Sequence, residues 1–148
     1  MSYAYDLERE LPHRPEQVWR ALTDPGLLSR WFMECDQDLA SLPLGGRFTL
    51  TDPNAKGWSG ILDGELRQRA VPARLVYRTD ERNGTSSTTL TWTLDPTESG
   101  TRLHLHHAGW QGLRGFMTAQ FLRMGWRSLI ATNLNDLLDR TQPDTEAP

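Results

Sequence analysis

Three histidines stand close together in the run RLHLHHAGWQ, residues 102 to 111: His104, His106 and His107. On an extended strand successive side chains alternate, so His107 shares a face with Leu103 and Leu105. An imidazole set among leucines can donate or accept a hydrogen bond to a ligand, or act as a general base. A partly exposed structural histidine near a strand end is the plainer reading. His104 and His106 point to the other side, two apart, and could share a metal. No Cys, His, Asp or Glu cluster at ligand spacing completes that set, so no metal is expected. Cys35, in WFMECD, has no base located near it and reads as an incidental or buried thiol. Asp63 and Glu65 both fall on an outward face, which leaves a paired-carboxylate mechanism without a basis. The chain has no Gly-rich phosphate loop, GxSxG elbow or HExxH motif, so no cofactor is expected and catalytic residues stay unassigned.

Aromatic residues offer a second kind of chemistry. Trp58, Tyr77 and Trp92 fall on the inward faces of expected strands, and Trp31, Phe32, Trp110, Phe121 and Trp126 join them from helices and loops. Each one taken singly reads as ordinary core. Six tryptophans in 148 residues is a rich supply, however, and a buried indole N–H needs a partner. Apolar walls with a few polar groups make a ligand pocket. With His107 and Asn133 as the polar members, these residues form the candidate ligand cavity.

The elements that must position them begin with alternation over residues 3 to 11, where Tyr3, Tyr5, Leu7 and Leu11 share a face with Arg9. That predicts a half-buried strand. Pro15 suits the first turn of a helix carrying Val18, Trp19 and Leu22, which ends near Asp24 because Pro25 follows. A second short helix carries Leu27, Leu28, Trp31 and Phe32. Strands are then expected around Phe48–Leu50, over 58–69, around Leu75–Tyr77, over Thr89–Leu94 and over Arg102–His107. Asp63-Gly64 is a hairpin signal in principle, but the alternation keeps phase across it, so one long bent strand is preferred. Inward Gly60 and Gly64 are expected to let the sheet curve and to leave space beneath it. Asn83-Gly84 marks a hairpin. Gly109, Gly112 and Gly115 are expected to break the chain before a final helix.

That final helix, Phe116 to Arg140, is the longest expected element. Ala119, Leu122, Trp126, Leu129, Ile130 and Leu137 form one broad apolar stripe, widened by Leu134 and Leu138, with Phe121 and Met124 on a second flank. Two sides of the helix are therefore expected to be covered. Gly125 predicts close approach of a neighbour, and Asn133, inside the stripe, is expected to face the cavity. Consecutive hairpins require an antiparallel sheet, and only this helix can cover its apolar face. The fold class is α+β: a curved antiparallel sheet of about six strands around a long C-terminal helix, with two short helices after the first strand.

At 148 residues the chain is expected to form one domain over 1–140, large enough to bury about 70% of its unfolded surface, with a disordered polar tail at 141–148. A single cysteine excludes an intramolecular disulfide, and the charged N-terminus has no signal-peptide core, which together fit the cytoplasm. No run approaches the ~18 apolar residues of a membrane span. A net charge of −3 gives no basic footprint for nucleic acid.

Four stretches carry a family resemblance: PHRPEQVWRALTDPGLLSRWF (12–32), GELRQRAVPARLVYR (64–78), TLTWTLDPTESGTRLHLHHAGW (89–110) and GWRSLIATNLNDLL (125–138). They resemble the SRPBCC superfamily, also called START or Bet v 1-like, and specifically its branch related to the Hsp90 ATPase activator C-terminal domain. The resemblance implies a helix-grip fold with a cavity between sheet and helices. Proteins similar to this bind apolar or amphipathic small molecules, and some act on them as cyclases or hydrolases. The leading expectation is binding of an apolar or aromatic small molecule, with a cyclase or hydrolase as the alternative. A homodimer is open. A co-chaperone role is disfavoured, because the sequence leaves no room for the extra N-terminal domain of the eukaryotic activators.

Overall fold

The structure, a computed structural model, describes residues 2–140. The expected tail at 141–148 lies outside the described residues. Seven strands form one curved, unclosed antiparallel sheet in the order β1-β7-β6-β5-β4-β3-β2. They are β1 (Ser2–Leu11), β2 (Glu34–Cys35), β3 (Arg47–Thr51), β4 (Ile61–Ala70), β5 (Arg74–Glu81), β6 (Ser87–Pro96) and β7 (Thr101–Gln111). The two-residue β2 accounts for the strand beyond the expected six. β1 pairs with β7 along its whole length, which carries the chain's first element to the end of the meander. Asn83, with φ of +61°, turns the β5–β6 hairpin where the Asn-Gly signal places it.

Helices α1 (Pro15–Thr23) and α2 (Pro25–Trp31) each begin on a proline at the first turn, where the missing N–H costs nothing. The C-terminal helix runs as α3 (Gly112–Ser128), a π-helical turn (Leu129–Leu134) and α4 (Asn135–Arg140). Its start lies four residues before the expected Phe116. α3 packs on β1 and β7, and the π turn meets α2. The Gln17 side-chain amide donates to the Leu138 carbonyl at 2.9 Å, and His13 Nε2 meets Asp139 at 2.8 Å, tying α1 to α4. Helices and sheet thus enclose one continuous core from Tyr5 to Leu138. Among the described residues no helix is long and apolar enough to cross a membrane.

Two expected features of β4 and β7 change. Asp63 and Gly64 sit inside β4, as the unbroken alternation requires, but the strand starts at Ile61, leaving Trp58 in the preceding loop. Gly60, with φ of +78°, makes the turn into it. The space beneath Gly64 is filled: a Cβ there would overlap the Phe48 ring, which packs across the strand pair. Gly109 does not break the chain before the helix. With φ of +106° it forms a bulge inside β7, where the register to β1 slips between Tyr3 and Ala4.

Candidate functional site

The inner face of the sheet is largely apolar, and near the end where the Asn83 hairpin lies it carries a row of polar side chains. Direct pairing sets Tyr5 opposite His107 and Thr79 opposite Thr88, and Thr88 lies two residues along β6 from Leu90, the direct partner of His107. Four polar side chains from four adjacent strands therefore line up, and all are buried. Tyr5 Oη lies 2.5 Å from His107 Nδ1, Thr88 Oγ1 lies 2.8 Å from His107 Nε2, and the two threonine oxygens are 3.3 Å apart.

The direction of this chain follows from its one fixed donor. The Trp126 indole can only donate, and it does so to Tyr5 Oη. The Tyr5 proton is left free for Nδ1; with that donation the His107 proton sits on Nε2 and is donated to Thr88, whose own proton can go to Thr79. The opposite tautomer would leave the Tyr5 proton without this acceptor. Burial lowers the His107 pKa to about 3, with the neighbouring His106 charge acting in the same direction. His107 is neutral at physiological pH. Burial also pushes the Tyr5 hydroxyl above the ordinary phenol range, partly offset by the Trp126 hydrogen bond.

Trp110 joins this row because of the Gly109 bulge. Odd positions of β7 face inward as far as His107, and the extra residue turns Trp110 inward as well. Its ring stands edge-on to the His107 ring at 5.0 Å between centroids. Trp110 is only 6% exposed, yet among the described residues its Nε1 has no hydrogen-bond partner. Two other core indoles fare differently: Trp31 donates to the Ala21 carbonyl at 2.8 Å and Trp92 to Tyr77 Oη at 3.0 Å. An unpaired buried donor costs about 1–3 kcal/mol, a cost that an acceptor brought to Trp110 Nε1 would relieve.

Beside the polar row stands a ring cluster of Trp31, Phe32, Trp92 and Trp126. Phe32 and Trp126 centroids are 4.9 Å apart, Trp92 and Trp126 5.4 Å at 77°, and Trp31 and Trp92 6.3 Å at 80°. These edge-on and tilted geometries are the favoured ones for aromatic pairs. Tyr77 meets Phe48 edge-on at 5.3 Å. The space that the sequence assigns to a cavity is thus occupied in large part by rings. Two grooves of the surface lie elsewhere. One, of about 420 Å³, is lined by Asp36, Arg47, Phe48, Thr49, Asp63 and Asp80 among others. The second, of about 320 Å³, is lined by Arg30, Asn133, Asp136, Leu137 and Arg140.

Of the expected site residues, Trp31, Phe32, Trp92 and Trp126 come together, and Tyr77, His107 and Trp110 border them. Trp58 is half-buried in its loop at the margin of the core. Two expectations fail. Phe121 is 76% exposed on the outer side of α3. Asn133 is exposed in the second groove, and Leu134 is buried instead. The π turn is the cause: an i→i+5 turn holds one residue more than an α turn and rotates the residues after it by roughly 100°. Gly125 likewise has open space around it rather than a close neighbour. Reasoning from sequence missed Tyr5, Thr79 and Thr88 as site residues. The signal was present, since Thr88 shares parity with Leu90 and Trp92, and Thr79 with Leu75 and Tyr77. On the outer face, Asp6 bridges His104 Nε2 at 2.9 Å and His106 Nδ1 at 2.8 Å.

A match to the family described as Activator of Hsp90 ATPase homolog 1-like protein runs over residues 12–139, a span that contains all four stretches of the resemblance. The chain belongs to this family. Among solved structures, protein MLL2253 from Mesorhizobium loti is similar at 30% identity and a TM-score of 0.79, with 95% of this chain and 99% of that chain covered. Protein NE0264 from Nitrosomonas europaea is similar at 26% identity and a TM-score of 0.73, covering 94% of this chain and 96% of that one. DynU16, from the dynemicin biosynthetic locus, gives 22% identity and a TM-score of 0.76, over 95% of this chain and 48% of its own. At that identity the likeness is one of fold. No curated protein matches. The activator-homologue family and its SRPBCC superfamily are therefore where the residues of the four stretches place this chain.

Proposed function

We propose that this activator-homologue protein is a cytoplasmic domain, spanning residues 1–140, that binds an apolar or aromatic small molecule at the inner face of its sheet. The observation that carries this reading is the buried Trp110 Nε1, which stands beside His107 without a hydrogen-bond partner among the described residues. An aromatic ligand with a carbonyl or phenolic oxygen would give that N–H its acceptor and stack against rings already present. Entry requires the ring cluster to part, and Phe32 is the least buried of its four members.

Binding is favoured over the cyclase or hydrolase alternative by the two residues that alternative needs. A general base works best with a pKa near the operating pH, and His107 lies far below it. Asn133 is on the surface.

Native mass spectrometry of the purified protein is expected to show a retained small molecule. Titration with naphthol and with flavonoids is expected to quench tryptophan fluorescence saturably. Trp110→Phe keeps the ring, removes the N–H and is expected to weaken binding about fivefold to tenfold, the worth of one hydrogen bond. Absence of both a retained molecule and saturable quenching overturns the proposal.

A further inference from the structure

We propose that the outer face of α3 is a docking surface for anionic lipid bilayers. Five of the seven large apolar side chains exposed in the described residues sit on this one helix: Leu113 (74%), Phe116 (40%), Met117 (64%), Phe121 (76%) and Met124 (72%). At 100° per residue, Leu113, Met117, Phe121 and Met124 fall within about 80° of the helix circumference. Ala119 and Trp126, the residues α3 buries, lie on the opposite side. The stripe is therefore a second apolar face that the fold leaves uncovered, and contiguous patches of this kind mark interaction sites.

Charge identifies the occupant. Arg114 borders the stripe on one side, and Arg123 and Arg127 border it on the other. All three are exposed, and among the described residues none has an acidic partner. From Gly112 to Leu134 the chain carries these three arginines and no Asp or Glu, although the whole protein has a net charge of −3. An apolar band between arginines is the pattern of a helix lying in a bilayer interface. The methionines, phenylalanine and leucine enter the acyl region while the guanidinium groups reach back to phosphates. α3 is about 25 Å long at 1.5 Å per residue and would lie along the surface, not across it. A second copy of this chain fits less well, because two such helices facing each other bring arginines together with no carboxylate on either helix to meet them.

The test is flotation of the full chain with vesicles. The protein is expected to float with mixed phosphatidylcholine–phosphatidylglycerol vesicles and to stay behind with phosphatidylcholine alone. Salt at about 0.5 M is expected to release it. Met117→Glu with Phe121→Glu is expected to abolish flotation, and Arg123→Gln or Arg127→Gln to weaken it about fivefold each. These side chains are exposed, so circular dichroism and the melting temperature are expected to stay unchanged, which separates lost docking from lost fold. No flotation with either vesicle, or flotation indifferent to phosphatidylglycerol, overturns the proposal. So does a dimer seen by light scattering that the glutamate pair dissociates, since a second copy would then be the occupant.

Discussion

His107 holds the centre of a hydrogen-bonded row whose satisfaction depends on a neutral imidazole. That dependence has a direction in pH. Its folded pKa, about 3, lies below the ordinary value of 6.5, so the unfolded chain takes up this proton first as pH falls. The corresponding stability is fully present above pH 6.5 and declines toward pH 3, by about 1.4 kcal/mol per pH unit. Urea melts of the native protein and of His107→Gln are expected to diverge between pH 7 and about 4, with the variant losing less on acidification. Parallel curves would show that the row does not hold His107 neutral. Carboxylates in both proteins contribute equally, so the difference isolates the imidazole.

At the scale of the element, the π turn at Leu129–Leu134 decides which residues of the C-terminal helix are core. A straight α-helix through this region would bring Asn133 to the face of Trp126, and the extra residue delivers Leu134 there instead. The α4 segment then buries Leu137 and Leu138 against α1. Leu134→Ala is expected to cost about 2–5 kcal/mol, the range for truncating a fully buried leucine. Asn133→Ala is expected to stay within about 0.5 kcal/mol, as for an exposed substitution. Chemical denaturation of the two variants checks this. An equal loss in both would mean that the helix continues in α phase and that Asn133 is core. The Gly109 bulge is the matching device in β7, since it turns Trp110 inward against the parity it shares with Ala108.

At the scale of the whole molecule, strand order ranks stability. β7, β6 and β5 are central, paired on both sides, whereas β2 is a two-residue edge strand and α3 offers solvent an apolar face. Native-state hydrogen exchange is expected to find the slowest amides in β6 and β7, exchanging only with global unfolding. β2 and the first turns of α3 are expected to open first. Faster exchange in β6 than in β2 would contradict the sheet order. The same asymmetry bears on the two proposed sites. Three members of the polar row stand on the central strands β5, β6 and β7 and Tyr5 on the edge strand β1, whereas the proposed bilayer face is on α3.

Much of this architecture was legible in the chain itself. Alternation from Thr89 to Leu94, the Asn83-Gly84 hairpin, Pro15 and Pro25 at helix starts, and the stripe Ala119–Leu138 determine elements, and their order allows an antiparallel sheet gripped by a helix. These signals are local, reaching across a turn or a strand, and a sequence carries local information directly. The ring cluster was legible in its members, since Trp31, Trp92 and Trp126 belong to periodic faces. What only the tertiary structure decided were displacements of phase and the filling of space. The π turn moves Asn133 outward, the Gly109 bulge moves Trp110 inward, and the Phe48 ring takes the volume that Gly64 opens. Each depends on one residue more in a turn or on a ring from another strand, and the period of a side-chain pattern records neither. The hydrogen-bonded row of Tyr5, His107, Thr88 and Thr79 is of the same kind. Its members are spread over 102 residues of sequence and meet only because β1 returns to pair with β7.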